Sequence, residues 1–114
     1  MDETPEVSGE LILDQTHISN ASMIHDLQQK GYGEIEKNQL LLKQFETLYL
    51  LYTNKLVLKK NKKQIDFDSY MSICQKTNSE ILTKFLIFRD LKTRGYVVKD
   101  GFGFGSDFRV YERG

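Results

Sequence analysis

Apolar side chains recur along this chain at two spacings, and the switches between them divide it into short helices and strands. Near the C-terminal end, Ile81, Leu82, Phe85, Leu86, Phe88 and Leu91 fall at helical intervals and predict an amphipathic helix. Asn78 or Ser79 can cap its start, Lys92 and Arg94 put positive charge in its last turn, and Gly95 follows where helices commonly stop. Tyr96, Val97 and Val98 then predict a strand, Asp100-Gly101 a turn, and the residues from Phe104 onward a second strand. In that strand Phe104, Ser106, Phe108 and Val110 alternate with Gly105, Asp107, Arg109 and Tyr111. Side chains on a strand point to opposite faces in turn, so Tyr111 is expected on a polar face with Arg109 and Asp107. A phenol there is available for chemistry or binding, although tyrosine also favours strands for packing alone.

Upstream, Glu10 to Asp14 predicts a short strand around Leu11, Ile12 and Leu13, and residues 16–20 a turn. Ser19 or Asn20 can cap a helix over 21–30, with Met23, Ile24 and Leu27 on one face and Gly31 at its end. Leu42, Phe45, Leu48, Tyr49 and Tyr52 form a second helical stripe that Asn54-Lys55 ends, and Leu56 to Leu58 reads as a strand. Tyr49 and Tyr52 are read as core or rim packing rather than base-stacking groups. Lys59, Lys60, Lys62 and Lys63 surround Asn61 in a hairpin turn. Asp66 caps a helix over 67–76 that carries Phe67, Tyr70, Met71 and Cys74 on one face. The expected class is α/β (α+β). Residues 1–9 form a loose terminus and residues 10–78 a small mixed domain. Residues 79–114 form a connecting helix and the first strands of a second α/β domain that this stretch leaves incomplete. Two strands alone are marginal in water, so further chain or a partner is expected to cover them.

Charge refines this picture. The 114 residues carry 16 basic and 16 acidic groups, and net charge by itself names no anionic partner. The distribution is uneven: residues 1–50 hold three basic and nine acidic groups, and the remainder thirteen and seven. A basic C-terminal half suits a phosphate backbone, or is ordinary surface charge. The lysine turn likewise reads either as an RNA-phosphate contact or as protection of an exposed turn and edge strand. One cysteine, Cys74, excludes an internal disulfide and has no partner at metal-ligand spacing. No apolar run reaches membrane-spanning length, so a soluble, cytoplasmic setting is expected, with no membrane contact. Gly101, Gly103 and Gly105 lead into a strand rather than a helix N-terminus, which argues against a phosphate-cradling loop.

The run RDLKTRGYVVKDGFGFGSDFRVYERG resembles the start of the catalytic domain of archaeal tRNA-splicing endonucleases. Asp90, Leu91, Arg94, Gly95, Tyr96, Val98, Lys99, Gly101, Phe104, Gly105, Asp107, Phe108, Arg109, Tyr111, Arg113 and Gly114 carry the likeness. Gly103 departs from it, standing where the family has a basic residue. Tyr32-Gly33, the leucine-rich segment and Glu46, Leu48, Tyr49 and Leu50 resemble the family's N-terminal domain, with Thr47 in place of a small alanine. The resemblance implies cleavage of precursor tRNA at bulge–helix–bulge intron junctions. The products would be a 2′,3′-cyclic phosphate and a 5′-hydroxyl, made without metal or cofactor by a Tyr, His and Lys triad. Tyr111 stands at the tyrosine, and Arg109 and Arg113 are candidates to contact RNA. The histidine and lysine of the triad lie beyond Gly114 in the family, and His17 and His25 are read as surface residues. The resemblance also implies homo- or hetero-oligomeric endonuclease partners. The alternatives are a non-catalytic assembly subunit, against which the presence of Tyr111, Arg109 and Asp107 argues, and a generic RNA-binding module.

Overall fold

The computed structural model describes residues 7–13, 15–100 and 108–112, with Asp100 and the last five defined by their backbone alone. The fold is α+β. A six-stranded sheet has the order β3-β4-β2-β1-β5-β6, built from β1 (Val7–Ile12), β2 (Gln15–Ile18), β3 (Glu34–Glu36), β4 (Gln39–Leu42), β5 (Leu56–Lys60) and β6 (Lys63–Ile65). Only β1 and β5 run parallel, joined through everything between them; the other pairings are antiparallel. The helices are α1 (Ala21–Gln29), α2 (Gln44–Tyr52), α3 (Phe67–Thr77) and α4 (Ile81–Thr93). A separate antiparallel hairpin closes the described chain, β7 (Tyr96–Asp100) with β8 (Phe108–Glu112).

Alternation fixes which face of the large sheet is inside. Val7, Leu11, Thr16, Ile18, Leu40, Leu42, Leu56 and Leu58 are buried, whereas Ser8, Glu10, Ile12, Gln15 and Lys59 are exposed. One face is therefore wet, as antiparallel sheets allow. On the dry side, Phe45 and Leu48 of α2 enter the same core. α3 and α4 pack beside α2 through aromatic rings: Phe45 to Phe88 at 4.8 Å, Tyr49 to Phe88 at 5.6 Å, Phe67 to Phe85 at 5.3 Å and Tyr52 to Phe85 at 5.7 Å between centroids. Such pairs contribute about 0.5–1.5 kcal/mol each beyond the area they bury. Tyr49 and Tyr52 thus pack at the core and its rim, as expected from the sequence.

Helix starts follow their expected caps at two places. Asn20 accepts from the Met23 N–H at 3.1 Å, and Asp66 from the Ser69 N–H at 2.8 Å. Before α4, the Asn78 side chain accepts from the Glu80 N–H at 3.1 Å and the helix begins at Ile81. Within α4 only part of the expected stripe is covered. Ile81, Phe85 and Phe88 are buried, while Leu82 and Leu86 are 45% and 40% exposed. Residues one position on sit about 100° around the helix, at 3.6 residues per turn, so the two sets cannot share a face.

The strands depart further from expectation. β1 begins at Val7, inside the segment read as loose, because Val7 pairs with Leu56 and is buried there. Residues 15–18 form β2 instead of a turn, since Thr16 and Ile18 alternate inward opposite Leu42 and Leu40. Leu42 belongs to β4, not to the α2 stripe, and the β3–β4 hairpin is a further addition. Its tip, Lys37-Asn38, has both residues at positive φ (52° and 67°), the mirror-image two-residue turn whose twist suits a hairpin. Asn61-Lys62 repeats that turn at φ 52° and 69° between β5 and β6.

Thr47 proves central rather than incidental. It is fully buried, with its hydroxyl 2.9 Å from that of Thr16 on β2 and 3.1 Å from the Lys43 carbonyl oxygen. The buried Tyr70 hydroxyl of α3 bonds to the same two threonines, and its pKa is driven upward, chiefly by burial. One polar cluster thereby joins α2, α3 and the sheet, and among the described residues no buried side-chain N or O lacks a partner. Thr47→Val keeps the shape and removes the hydroxyl. It is expected to cost about 1–3 kcal/mol, the penalty for leaving a buried group unpaired. Urea titration should show a lower midpoint with an unchanged slope; an unmoved midpoint would contradict the cluster's role.

Candidate catalytic hairpin

Of the three site residues expected from sequence, Tyr111 and Arg109 fall in the C-terminal hairpin. Tyr111 lies in β8 directly opposite Val97, and Arg109 opposite Lys99. Their side chains lie outside the described residues, as do Arg113 and residues 101–107 entirely. His17 and His25 are elsewhere. His17 sits half-buried in β2 with its Nδ1 2.9 Å from Gln39 Oε1, and His25 is exposed on α1. Among the described residues no group of three or more His, Cys, Asp or Glu side chains is arranged to hold a metal ion. Nor is any helix among them long and apolar enough to cross a membrane.

What holds the hairpin is the stretch Gly31-Tyr32-Gly33 in the loop between α1 and β3. Gly31 has φ +89°, and a Cβ there would lie 2.5 Å from Val97 Cγ1. Only the absence of a side chain lets β7 come this close. Tyr32 is buried, and Lys92 Nζ at the end of α4 lies 4.6 Å from its ring centroid. The Gly33 carbonyl accepts from Lys99 Nζ at 3.0 Å. Its N–H donates to Glu46 Oε2 at 3.0 Å, while Glu46 Oε1 accepts from the Lys43 N–H at 2.8 Å. One carboxylate therefore starts α2 and fixes the loop, and the loop fixes β7. Gly33 itself sits at φ +67°, and a Cβ on it would meet the Leu41 carbonyl oxygen at 2.8 Å.

The electrostatics of this node are unusual. Glu46 is only 2% exposed, and burial raises its pKa; the Gly33 and Lys43 N–H groups and the positive charges of Lys99 and Lys43 oppose that rise. On the opposite side of β7, Val98 is buried in the common core and pairs in register with Val110. Lys99 faces Arg109 across the ladder, and like charges directly opposite are unfavourable in a strand pair. The bond from Lys99 to the Gly33 carbonyl gives that ammonium a partner. Beside the loop, a cavity of about 230 Å³ opens between the ends of α1 and α2 and the Gly95-Tyr96 junction.

Two family matches now meet this geometry. Residues 7–71 match the tRNA intron endonuclease N-terminal domain, and residues 81–114 match the tRNA intron endonuclease catalytic C-terminal domain. This chain belongs to the tRNA intron endonuclease family. A tRNA-splicing endonuclease of Methanothermobacter thermautotrophicus is 35% identical over 109 residues, covering 95% of this chain and 63% of the relative. That of Methanococcus maripaludis is 41% identical over 91 residues, 79% of this chain and 51% of its own length. That of Pyrococcus furiosus is 34% identical over 85 residues, 75% and 50% respectively. The chain thus spans between half and just under two thirds of the length of these curated relatives.

For this member of the tRNA intron endonuclease family, the YG pair and the glutamate of the α2 run gain a physical reason: they build the support for β7. In the sequence, Tyr32, Gly33, Glu46 and Lys99 stand out only as matching positions. Nothing in their spacing reveals that residues 66 apart, Gly33 and Lys99, meet. The buried glutamate supplies a test. Because its folded pKa is raised, the folded protein holds that proton at higher pH than the unfolded chain. Its stabilising contribution is full below the ordinary carboxylate value and is lost as pH rises from there through the raised folded value. Glu46→Gln cannot titrate. The stability of the wild type relative to this variant should therefore fall with rising pH across that window, as followed by denaturation at a series of pH values. A difference that is flat or climbs would contradict the buried-carboxylate account.

Proposed function

We propose that this chain supplies the tyrosine of a metal-independent RNA-cleaving site, and that the whole protein acts as a tRNA-intron endonuclease. In this reading residues 10–78 are the N-terminal domain and residues 79–114 open the nuclease domain. The observation that carries the proposal is the pair of consecutive family matches, the second of which spans Tyr111. The substrate class is precursor tRNA folded as a bulge–helix–bulge, whose splayed nucleotides are recognised through shape and unpaired bases. The name the relatives share, tRNA-splicing endonuclease, supports that class. The protein works in the cytoplasm as a homo- or hetero-oligomer of endonuclease subunits.

The chemistry follows from the phenol. Tyr111 removes the proton from the ribose 2′-hydroxyl, and the 2′-oxygen attacks the adjacent phosphorus. The bond to the 5′-oxygen breaks, and a general acid protonates the departing oxygen. Products are a 2′,3′-cyclic phosphate and a 5′-hydroxyl. Tyrosine ordinarily titrates near pH ~10, so base work at neutral pH calls for cations nearby. Arg109 and Arg113 are proposed for that role and for contact with the RNA phosphates. A positioned general base contributes roughly 10²–10⁴-fold in rate. In the full-length protein, Tyr111→Phe should lower single-turnover cleavage by that factor while leaving affinity for the uncut precursor unchanged. Cleavage at the wild-type rate would remove Tyr111 from the chemistry and favour a scaffolding subunit instead.

A further inference from the structure

The tip of the β5–β6 hairpin carries a charge that folding does not require. Lys59, Lys60, Lys62 and Lys63 occupy four of five consecutive positions, and all four are exposed. The positive φ of both Asn61 and Lys62 defines a tight two-residue turn, so the four lysine backbones lie within one short hairpin tip. Lys60 and Lys63 stand directly opposite each other in the ladder, a like-charge pair that lowers stability. Asp66 accepts from the Ser69 N–H that starts α3, and Glu10 stands in register with Lys59 on the neighbouring parallel strand, which leaves Lys60, Lys62 and Lys63 without an acidic cross-strand partner. The ion pairs formed among the described residues, Lys30 with Asp26 and Arg94 with Asp90, do not include these lysines.

Protection of a sheet edge accounts for only part of this cluster. β6 is the edge strand and carries Lys63. Lys59 lies on β5 between Glu10 of β1 and Gln64 of β6 and guards no edge. We infer that the β5–β6 tip is a phosphate-backbone contact for RNA, a second anchoring point remote in sequence from the hairpin that carries Tyr111. This rests on the proposed RNA substrate. No aromatic residue is interleaved with the lysines, so the contact reads charge and shape without base stacking, and it serves any RNA sequence of the right fold.

Counterion release gives a quantitative test. Each phosphate neutralised adds roughly 0.7–0.9 to the slope of log affinity against log salt. The full-length protein and its K59Q/K60Q/K62Q/K63Q variant are titrated with a bulge–helix–bulge RNA over a series of KCl concentrations. The variant should bind more weakly at low salt, with a slope shallower by about 1.4–3.6 if two to four of the lysines meet phosphate. The all-arginine variant, which keeps the charge, should restore the slope. Parallel lines for wild type and glutamine variant would overturn this inference while leaving the RNA reading intact. Parallel lines together with new self-association of the glutamine variant would assign all four lysines to edge protection. Absence of RNA binding by the wild type would overturn the RNA reading and this contact together.

Discussion

Gly33 is the joint on which this architecture turns. Its two backbone polar groups are divided between two parts of the molecule, the N–H to buried Glu46 at the start of α2 and the carbonyl to Lys99 of β7. Its φ of +67° is one that other residues rarely adopt, and a side chain at this position collides with the Leu41 carbonyl. A hydrogen bond from a charged donor contributes about 1.5–3 kcal/mol, comparable to a sizeable share of a small domain's net stability. The neighbouring glycine acts differently, since Gly31 lets Val97 approach its backbone. Between the two, β7 is fixed by contact at one residue and by charge two residues later.

That arrangement divides labour between the parts of the chain. The six-stranded sheet and α2 to α4 form a closed core with paired polar groups. β7 anchors the β7–β8 ladder to that core, and β8 pairs in register with β7. Tyr111 is placed along the ladder by its pairing with Val97, the residue that packs on Gly31. A change in the Gly31-Tyr32-Gly33 loop thus reaches the backbone of the proposed general base through β7. The N-terminal residues act as a template for the start of the catalytic domain.

Much of this was legible in the sequence. Helices α1, α3 and α4 followed from apolar periodicity and from Asn20 and Asp66 as caps, and the β5–β6 turn from Asn61 among lysines. What escaped had weak local signals. β2 is four residues long and turns inward only Thr16 and Ile18, too short an alternation to stand out. β3 is exposed along its whole length and exists by pairing with β4. The leucines at 40 to 42 do not alternate in polarity although they alternate in burial. Glu46 and Thr47 stood in the sequence only as positions of a family resemblance, and only their long-range partners Thr16, Gly33 and Tyr70 explain why they are buried. At the candidate site, the motif residues were readable but the support beneath them was not, because it joins segments far apart in the chain.

Native-state hydrogen exchange on Lys99→Met tests the joint most directly, since methionine keeps the apolar stem and removes the charged donor. If Gly33 holds the hairpin to the core, the β7 amides at positions 97, 98 and 99 should exchange roughly 10–100-fold faster, the equivalent of about 1.5–3 kcal/mol. Amides of β1 and β5 should keep wild-type protection. Unchanged β7 exchange, or an equal loss of protection across all the strands, would contradict a hairpin held to the core through Gly33.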